Sequence, residues 1–367
     1  MRQLQDLLDL RGGEEDRRAF GRDAAVNYDF KQADVVLSLD ADFLGDGPGH
    51  VRYSRDFAAR RRVRDSIPAG ADGEYVKPEN MSRLYVAECM PSQTGSAADH
   101  RLPILSGQVE AFARAVAAKL GVAGAPAAGT LPDAAQKWID PLVKDLQRVR
   151  GKSIVVAGDS QPPAVHALAH AINNHLGNLG TTVFVTAPVE ARPDGKMLAL
   201  ADLVREMAAN AVDVLLVLGG TNPAYTAPVD LDFAGAVKNV PFRFHLGSHQ
   251  DETAGTCEWH INEAHYLETW GDGRGHDGTV AIQQPLIAPL YNGRSAAEVL
   301  AAVTLAGDTD GYDIVRAYWR KRFADEKRAG VFEQFWQETV RLGVVANSAA
   351  PRVEKPTLAG GWAEGAS

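Results

Sequence analysis

Apolar runs in this chain fall into two sets that follow one order. The first set begins with the strand-like run 35–39, led by Asp34, which breaks into a polar loop beginning Asp40-Ala41-Asp42. A second run at 84–88 follows, then a Thr94-Gly95 turn and His100-Arg101-Leu102. The other set repeats this with 212–218, the loop Gly219-Gly220-Thr221-Asn222-Pro223, the run 242–246, a Thr253-Ala254 turn and Trp259-His260-Ile261. Short continuous apolar runs with polar residues at their carboxyl ends are the pattern of strands buried on both faces of a parallel sheet. Ligands of such sheets bind beyond the carboxyl ends of the strands. The repeated order predicts an α/β fold of two doubly wound parallel-sheet units related by an internal pseudo-repeat, and it marks both loops as candidate sites.

Other segments read around these strands. Residues 1–22 are charged and weakly amphipathic, and a helix is expected there and at 51–64. A Pro/Gly-rich excursion covers 66–80. Val109, Phe112, Ala113, Val116 and Leu120 keep helical spacing over 108–120. The segment 121–130 reads as a linker. Beyond it come a helix at 132–150, a strand at 153–157, a helix carrying His166, His170 and His175, and a strand at 182–186. Helices at 197–209 and about 230–237 complete the strand–helix alternation of an open parallel sheet. Helical patterns rich in Trp, Phe and Arg occupy 312–340. The expected organisation is a first α/β unit over 1–125, a second over 126–295, a C-terminal helical segment over 296–346 and a disordered tail over 347–367.

Composition narrows the function. The 367 residues are 45% hydrophobic and 23% charged, as in an ordinary globular protein. A net charge of -9 argues against nucleic-acid binding, which needs a basic face. The basic run Arg60-Arg61-Arg62 with Arg64 reads as a solvated helix end. No apolar stretch is long enough to span a membrane, and the first twenty residues lack the apolar core of a signal peptide. With only Cys89 and Cys257, neither in a CxxC pair, the chain offers no cysteine set for an iron–sulfur cluster.

Candidate chemistry gathers at the strand ends. Gly219-Gly220-Thr221-Asn222 lets backbone approach a ligand and present N–H groups to an anion, although such loops also simply start helices. The loop itself is not GxGxxG, and no GxxxxGK[ST] is present. Asp40, Asp42, Asp251 and Glu252 stand at expected strand ends, where capping and turn roles also explain them. His245, His249, Cys257, His260 and His265 lie close in sequence, with Cys257 and His260 at metal-like spacing, yet these two are interleaved with Trp259 and Ile261 and would alternate faces. No metal site is expected from these, nor from His166 and His170 on one helix face. No Ser/His/Asp set stands out, and no catalytic residue is assigned.

The segment 259–290, WHINEAHYLETWGDGRGHDGTVAIQQPLIAPL, together with DVLLVLGGTNPAY and DETAGTC, resembles the molybdopterin oxidoreductases. That family holds the guanosine ends of a pterin dinucleotide at GGNP-like loops after buried strands. The matching positions here are Gly219, Gly220, Thr221 and Asn222, with Asp251 and Glu252-Thr253-Ala254, Glu263-Ala264-His265, Gly271 and Asp277-Gly278-Thr279-Val280 further on. In the first half, 34–43 resembles the other nucleotide loop, and Glu88-Cys89-Met90-Pro91 replaces an acidic-Pro-Arg turn. Phrases such as YDFKQADVVLSLDADFLG, ADHRLP and QPLIAPLYNGRSA, over about 27–319, resemble most closely the molybdopterin-oxidoreductase-like half of the alternative complex III B subunit. That resemblance implies a scaffold without molybdenum cofactor, placed on the outer face of the cytoplasmic membrane. Its partners would be an iron–sulfur domain or subunit and other respiratory-complex subunits, with membrane contact through partners only. A Cys-rich half carrying the clusters is absent from this chain. Asp40-Ala41-Asp42 replaces the usual small residues, and two carboxylates there would repel a pyrophosphate. The expectation is therefore that this chain binds no cofactor, its Gly219–Thr253 positions being vestigial. The competing readings are an active molybdopterin-guanine-dinucleotide oxidoreductase subunit and a nucleotide- or anion-binding module.

Overall fold

A computed structural model describes residues 19–22, 24–64, 77, 80–189, 200–305, 309–354 and 356–359. Most of the expected N-terminal helix and of the 66–80 excursion lies outside the described residues. The chain divides into two compact units, one drawn from 6–194 and 350–367, the other from 195–349.

In the N-terminal unit, β1 (Ala25–Tyr28) precedes β2 (Val35–Leu39), helix α1 (His50–Ala59), β3 (Arg83–Glu88) and β4 (His100–Pro103). Helices α2 (Val109–Leu120) and α3 (Asp133–Arg148), strand β5 (Ser153–Ala157), helix α4 (Pro163–Leu176) and strand β6 (Val183–Thr186) follow. β4, β3, β2 and β5 form one parallel sheet in that order. β2 is buried at all five positions, because its alternate side chains enter two different cores. Val35, Leu37 and Leu39 face Phe112, Val116, Leu142, Leu146, Leu168 and Ile172 of α2, α3 and α4. Val36 joins Leu84, Val86, Ile154 and Val156 against Phe30, Phe43, Tyr53 and Phe57, the last two on α1. Leu37, Leu39, Leu84 and Ile154 are fully buried, and each apolar side chain so buried stabilises by about 1.5–3 kcal/mol.

The unit boundary differs from the sequence expectation. β5, expected to open the second unit, hydrogen-bonds to β2 from Val35↔Ser153 to Leu39↔Ala157. The low-propensity stretch 121–130 is thus a surface connection between α2 and α3 inside one sheet unit, capped by left-handed Gly121. The tail also differs. β1 pairs antiparallel with β6, Thr186 bridges to Arg352, and Val353 N–H donates to Val185 C=O at 2.8 Å. The described part of 350–359 is therefore an ordered addition to this unit.

In the C-terminal unit, helix α5 (Leu200–Ala208) leads to β7 (Val214–Leu218), β8 (Phe242–Gly247) and β9 (Trp259–Asn262), a parallel sheet in that order. The helix expected at 230–237 is broken into three short turns, with Asp232 in left-handed conformation. A hairpin follows, β10 (Gly271–Arg274) with β11 (Val280–Gln283), then α6 (Ala296–Leu305), α7 (Gly311–Asp325) and α8 (Phe332–Leu342). Val280 and Ile282 pack on Val315, Trp319, Trp336 and Val345, so the hairpin and the last two helices share a core.

The second sheet departs from the expected burial on both faces. Leu215 and Val217 are buried against Val204, Met207, Phe233 and Val237. On the opposite face Val214, Leu216, Phe242 and Trp259 are 54%, 37%, 43% and 61% exposed. The corresponding face of the N-terminal sheet is the one covered by α2, α3 and α4. Here the chain leaves β9 for the β10–β11 hairpin instead of returning as a helix, and the face stays open within the unit.

Candidate functional site

In the N-terminal unit the strand-end loop is drawn tight. Asp40 takes φ of 57°, and its N–H donates to Ala87 C=O at 2.8 Å. Its carboxylate accepts from Cys89 N–H at 3.1 Å and from Gln161 Nε2 at 2.8 Å. Asp42 Oδ1 accepts from the N–H of Thr94 at 2.8 Å and from its hydroxyl at 2.7 Å. The Thr94 oxygen in turn accepts from Leu44 N–H at 3.0 Å. Both carboxylates thus take donors that a phosphate at this strand end would need. Cys89 is exposed, and burial together with the Asp40 carboxylate raises its thiol pKa, the opposite of an activated nucleophile.

The C-terminal unit makes the same lock with different residues. Asn222 Oδ1 accepts from Thr253 N–H at 3.2 Å and from its hydroxyl at 2.8 Å, and the Thr253 oxygen accepts from Ala224 N–H at 3.0 Å. The other face of the Asn222 amide donates to Glu252 at 2.7 Å, a bond that lowers the pKa of that exposed carboxylate. Asp251 Oδ1 caps the following turn by accepting from Ala254 N–H at 2.9 Å. Gly219 and Gly220 both adopt positive φ, 73° and 60°, a backbone that favours glycine. Gly219 N–H donates to Leu246 C=O at 3.3 Å, and Glu263 Oε1 lies 3.6 Å from where a Gly219 Cβ would stand. Burial raises the pKa of Glu263, with the Gly220 backbone partly opposing.

Of the expected site residues, Gly219, Gly220, Asn222, Asp251 and Thr253 therefore meet at the carboxyl ends of β7 and β8. Thr221 shares their loop. Asn222, Asp251 and Thr253 spend their polar groups on one another and on local backbone. Two participants carried weaker sequence signals. Gln161 is fully buried and reaches Asp40 across 121 positions. Glu263 follows β9 directly, and no local pattern aims it at the Gly219 loop.

Histidines form pairs, not clusters. Among the described residues no group of three or more His, Cys, Asp or Glu could hold a metal ion. Parallel pairing sets His245 opposite His260, so both share one face, with Nδ1···Nδ1 at 2.9 Å and ring centroids 5.1 Å apart. The alternation expected along 257–261 does not bear on this pair, whose members lie on different strands in register. Burial lowers the pKa of His245, the neighbouring His260 adds to this, and Asp251 opposes.

His166 gives a pH signature. Its Nε2–H donates to Gly158 C=O at 3.1 Å, and burial together with His170 pushes its pKa down to about 4, from an ordinary 6.5. The folded value lies below the unfolded one, so the stability it contributes is present above pH 6.5 and is lost as pH falls toward 4. With the ring half-buried, we expect a loss on the order of 2 kcal/mol over that interval. Thermal melts of the wild type and of His166→Gln across this range check it; the variant should show a flatter profile.

No family model matches the chain. It is similar to the menaquinone reductase molybdopterin-binding-like subunit of Nitratidesulfovibrio vulgaris, at 27% identity over 323 residues, 77% of this chain and 44% of that protein. Its fold is similar to that of acetylene hydratase from Pelobacter acetylenicus, with a TM-score of 0.53 and 11% identity, over 81% of this chain and 50% of that one. The chain thus spans about half the length of each. These likenesses support a molybdopterin-oxidoreductase-like chain with a mixed α/β fold of parallel sheets and helices.

Proposed function

We propose that this chain is a non-catalytic, molybdopterin-oxidoreductase-like scaffold of a respiratory quinone or quinol oxidoreductase, of the alternative complex III type. It would dock an iron–sulfur partner and neighbouring subunits on the outer face of the cytoplasmic membrane and support electron transfer that it does not itself perform. The observation that carries this reading is the state of the two strand-end loops. Asp40 and Asp42 in one unit occupy the N–H groups of Cys89 and Thr94, and Asn222 in the other takes that of Thr253, backbone donors that a pterin dinucleotide's phosphates would require. The residues present do not fit that cofactor. In this reading the matching Thr94 and Thr253 locks are relics of a duplicated α/β half that keep its shape.

The likeness to a subunit of a menaquinone reductase favours a respiratory setting. The open apolar face of the β7–β8–β9 sheet favours a chain that works in contact with others, since apolar surface of this kind marks interaction sites. The test is the native protein purified with its partners, assayed for molybdenum by metal analysis and for released pterin by fluorescence. Both should be far below one per chain, with iron–sulfur protein co-purifying. Stoichiometric molybdenum and pterin would overturn the reading, as would a native protein that runs alone with full activity.

A further inference from the structure

The two parallel sheets keep one register. Val35↔Arg83 and Tyr85↔His100 in the first correspond to Val214↔Phe242 and Phe244↔Trp259 in the second. The bond from Asp40 N–H to Ala87 C=O likewise has a counterpart in that from Gly219 N–H to Leu246 C=O. β7 therefore stands in its sheet where β2 stands in the other. On its outer side β2 takes a parallel strand, β5, from Val35↔Ser153 to Leu39↔Ala157. β5 leads into α4, whose Val165, Leu168 and Ile172 pack on the face that holds Leu37. Beyond β7 no described strand pairs, and the face that holds Leu216 is the open one.

The edges of the two sheets are finished differently. β4 is a four-residue strand that ends on Pro103, a poor template for addition. The outward groups of β5 are closed by side chains. Val155 N–H donates to Asn173 Oδ1 at 3.0 Å, and Asn173 Nδ2 donates back to Val155 C=O at 2.7 Å. Ser153 C=O accepts from the Thr182 hydroxyl at 2.5 Å, and its N–H donates to Asn178 Oδ1 at 3.3 Å. On β7, Asp213 C=O and Gly219 N–H bond to β8, so alternation turns the N–H and C=O groups of Val214, Leu216 and Leu218 to the other side. No strand or side chain among the described residues bonds them there, and the run Val-Leu-Leu-Val-Leu has neither the charge nor the proline that blunts an edge. We propose that β7 is the docking edge for a strand–helix segment of a partner subunit. Its apolar strand adds parallel to β7 as β5 adds to β2, and its amphipathic helix covers Val214, Leu216, Phe242 and Trp259. Addition to a free edge supplies backbone hydrogen bonds, and the helix removes the apolar face from water. A second copy of this chain does not fit the same place, because a two-fold axis would bring β7 to β7 antiparallel. This inference rests on the scaffold reading and names where and how a neighbouring subunit attaches in it.

Amide hydrogen exchange, read residue by residue in the native complex and in the full chain alone, tests the proposal. The amides of Val214, Leu216 and Leu218 should exchange at least ~10-fold more slowly in the complex, whereas those of Leu215 and Val217, which face β8, should be slow in both. Leu216→Lys puts a charge on the open face, and it should weaken reconstitution with the subunits purified from the native complex at least ~10-fold. Val229→Lys is the control, at a position 96% exposed in a turn outside the sheet, and should reconstitute like wild type. Should Leu216→Lys fail to fold, Val214→Lys takes its place, and the exchange comparison needs no variant. A complex in which the three edge amides exchange as fast as in the free chain would overturn the proposal and leave the scaffold reading standing. A homodimer built on β7 would overturn it as well. A native protein that runs alone with full activity would overturn both.

Discussion

Replacing Gly158 by alanine should unfold the N-terminal unit at temperatures the wild type survives, with a loss of about 3 kcal/mol or more. Gly158 ends β5 beside the Asp40 loop, its N–H donating to Leu39 C=O at 3.0 Å. A Cβ there would lie 2.0 Å from Asp40 O, 2.6 Å from its carbonyl carbon and 3.0 Å from Ala41 Cα. All three are backbone atoms, so no rotamer change relieves the clash. The Asp40 backbone is already committed, held at φ of 57° with its side chain tied to Cys89 and Gln161. Either β5 slides away from β2 or the loop opens, and both separate cores on the two faces of the sheet. Calorimetry should show the melting temperature of this unit lowered by roughly 10 °C. Gly107→Ala is the control, because nothing lies within 4 Å of its Cβ position. It should stay within about 0.5 kcal/mol of wild type. A Gly158→Ala protein as stable as that control would show that the two loops do not meet this closely.

The second large effect is expected at Arg101. Its Nε donates to Glu88 Oε1 at 2.5 Å, and the Glu88 side chain is 3% exposed. Ser92 hydroxyl donates to the other carboxylate oxygen at 2.6 Å. Glu88 has no room to swing toward water on one side, since a Cβ on Gly95 would already overlap its carboxylate. Arg101→Met keeps most of the aliphatic volume and leaves a carboxylate buried without its cation. Breaking a buried pair from one side costs about 3–5 kcal/mol; with Arg101 itself 31% exposed, about 2–4 kcal/mol is expected. Adding Glu88→Gln should recover most of the loss, because the neutral amide needs no counter-charge. Denaturant melts of the two single variants and the double variant measure this directly. If the double variant is no more stable than Arg101→Met, packing of the guanidinium and not its charge was the contribution.

Both positions show what could and could not be read along the chain. The strands were legible because each is a short apolar run, and the runs at 35–39, 153–157 and 242–246 match β2, β5 and β8 within a residue. Which strands pair was not legible. β5 joins β2 across more than a hundred residues, while the Gly/Ala-rich stretch 121–130 imitates a domain boundary by composition alone. The β10–β11 hairpin had no local signal, because Gly271-Asp272-Gly273-Arg274 lacks strand-forming residues. It is held from outside, by Trp319 Nε1 donating to Asp272 at 2.8 Å and by the core around Val280 and Ile282. For the candidate site, polar groups at strand ends marked the two loops, yet nothing local tells a donor awaiting a ligand from one already taken. Asn222 is engaged by Thr253, and Asp42 by Thr94, through the register of neighbouring strands. Glu263, just past β9, comes within 3.6 Å of where a Gly219 Cβ would stand, an approach between strands that sequence spacing does not show.

The open face of the second sheet bears on how the protein has to be made. Val214, Leu216, Phe242 and Trp259 form a solvent-facing apolar surface on strands whose other face is already packed. A chain released from the ribosome with that surface uncovered is a substrate for chaperones and proteases, and a seed for self-association at high concentration. Its abundance in a cell would then follow that of whatever covers the face, and overproduction by itself would yield less intact protein than balanced production with its neighbours.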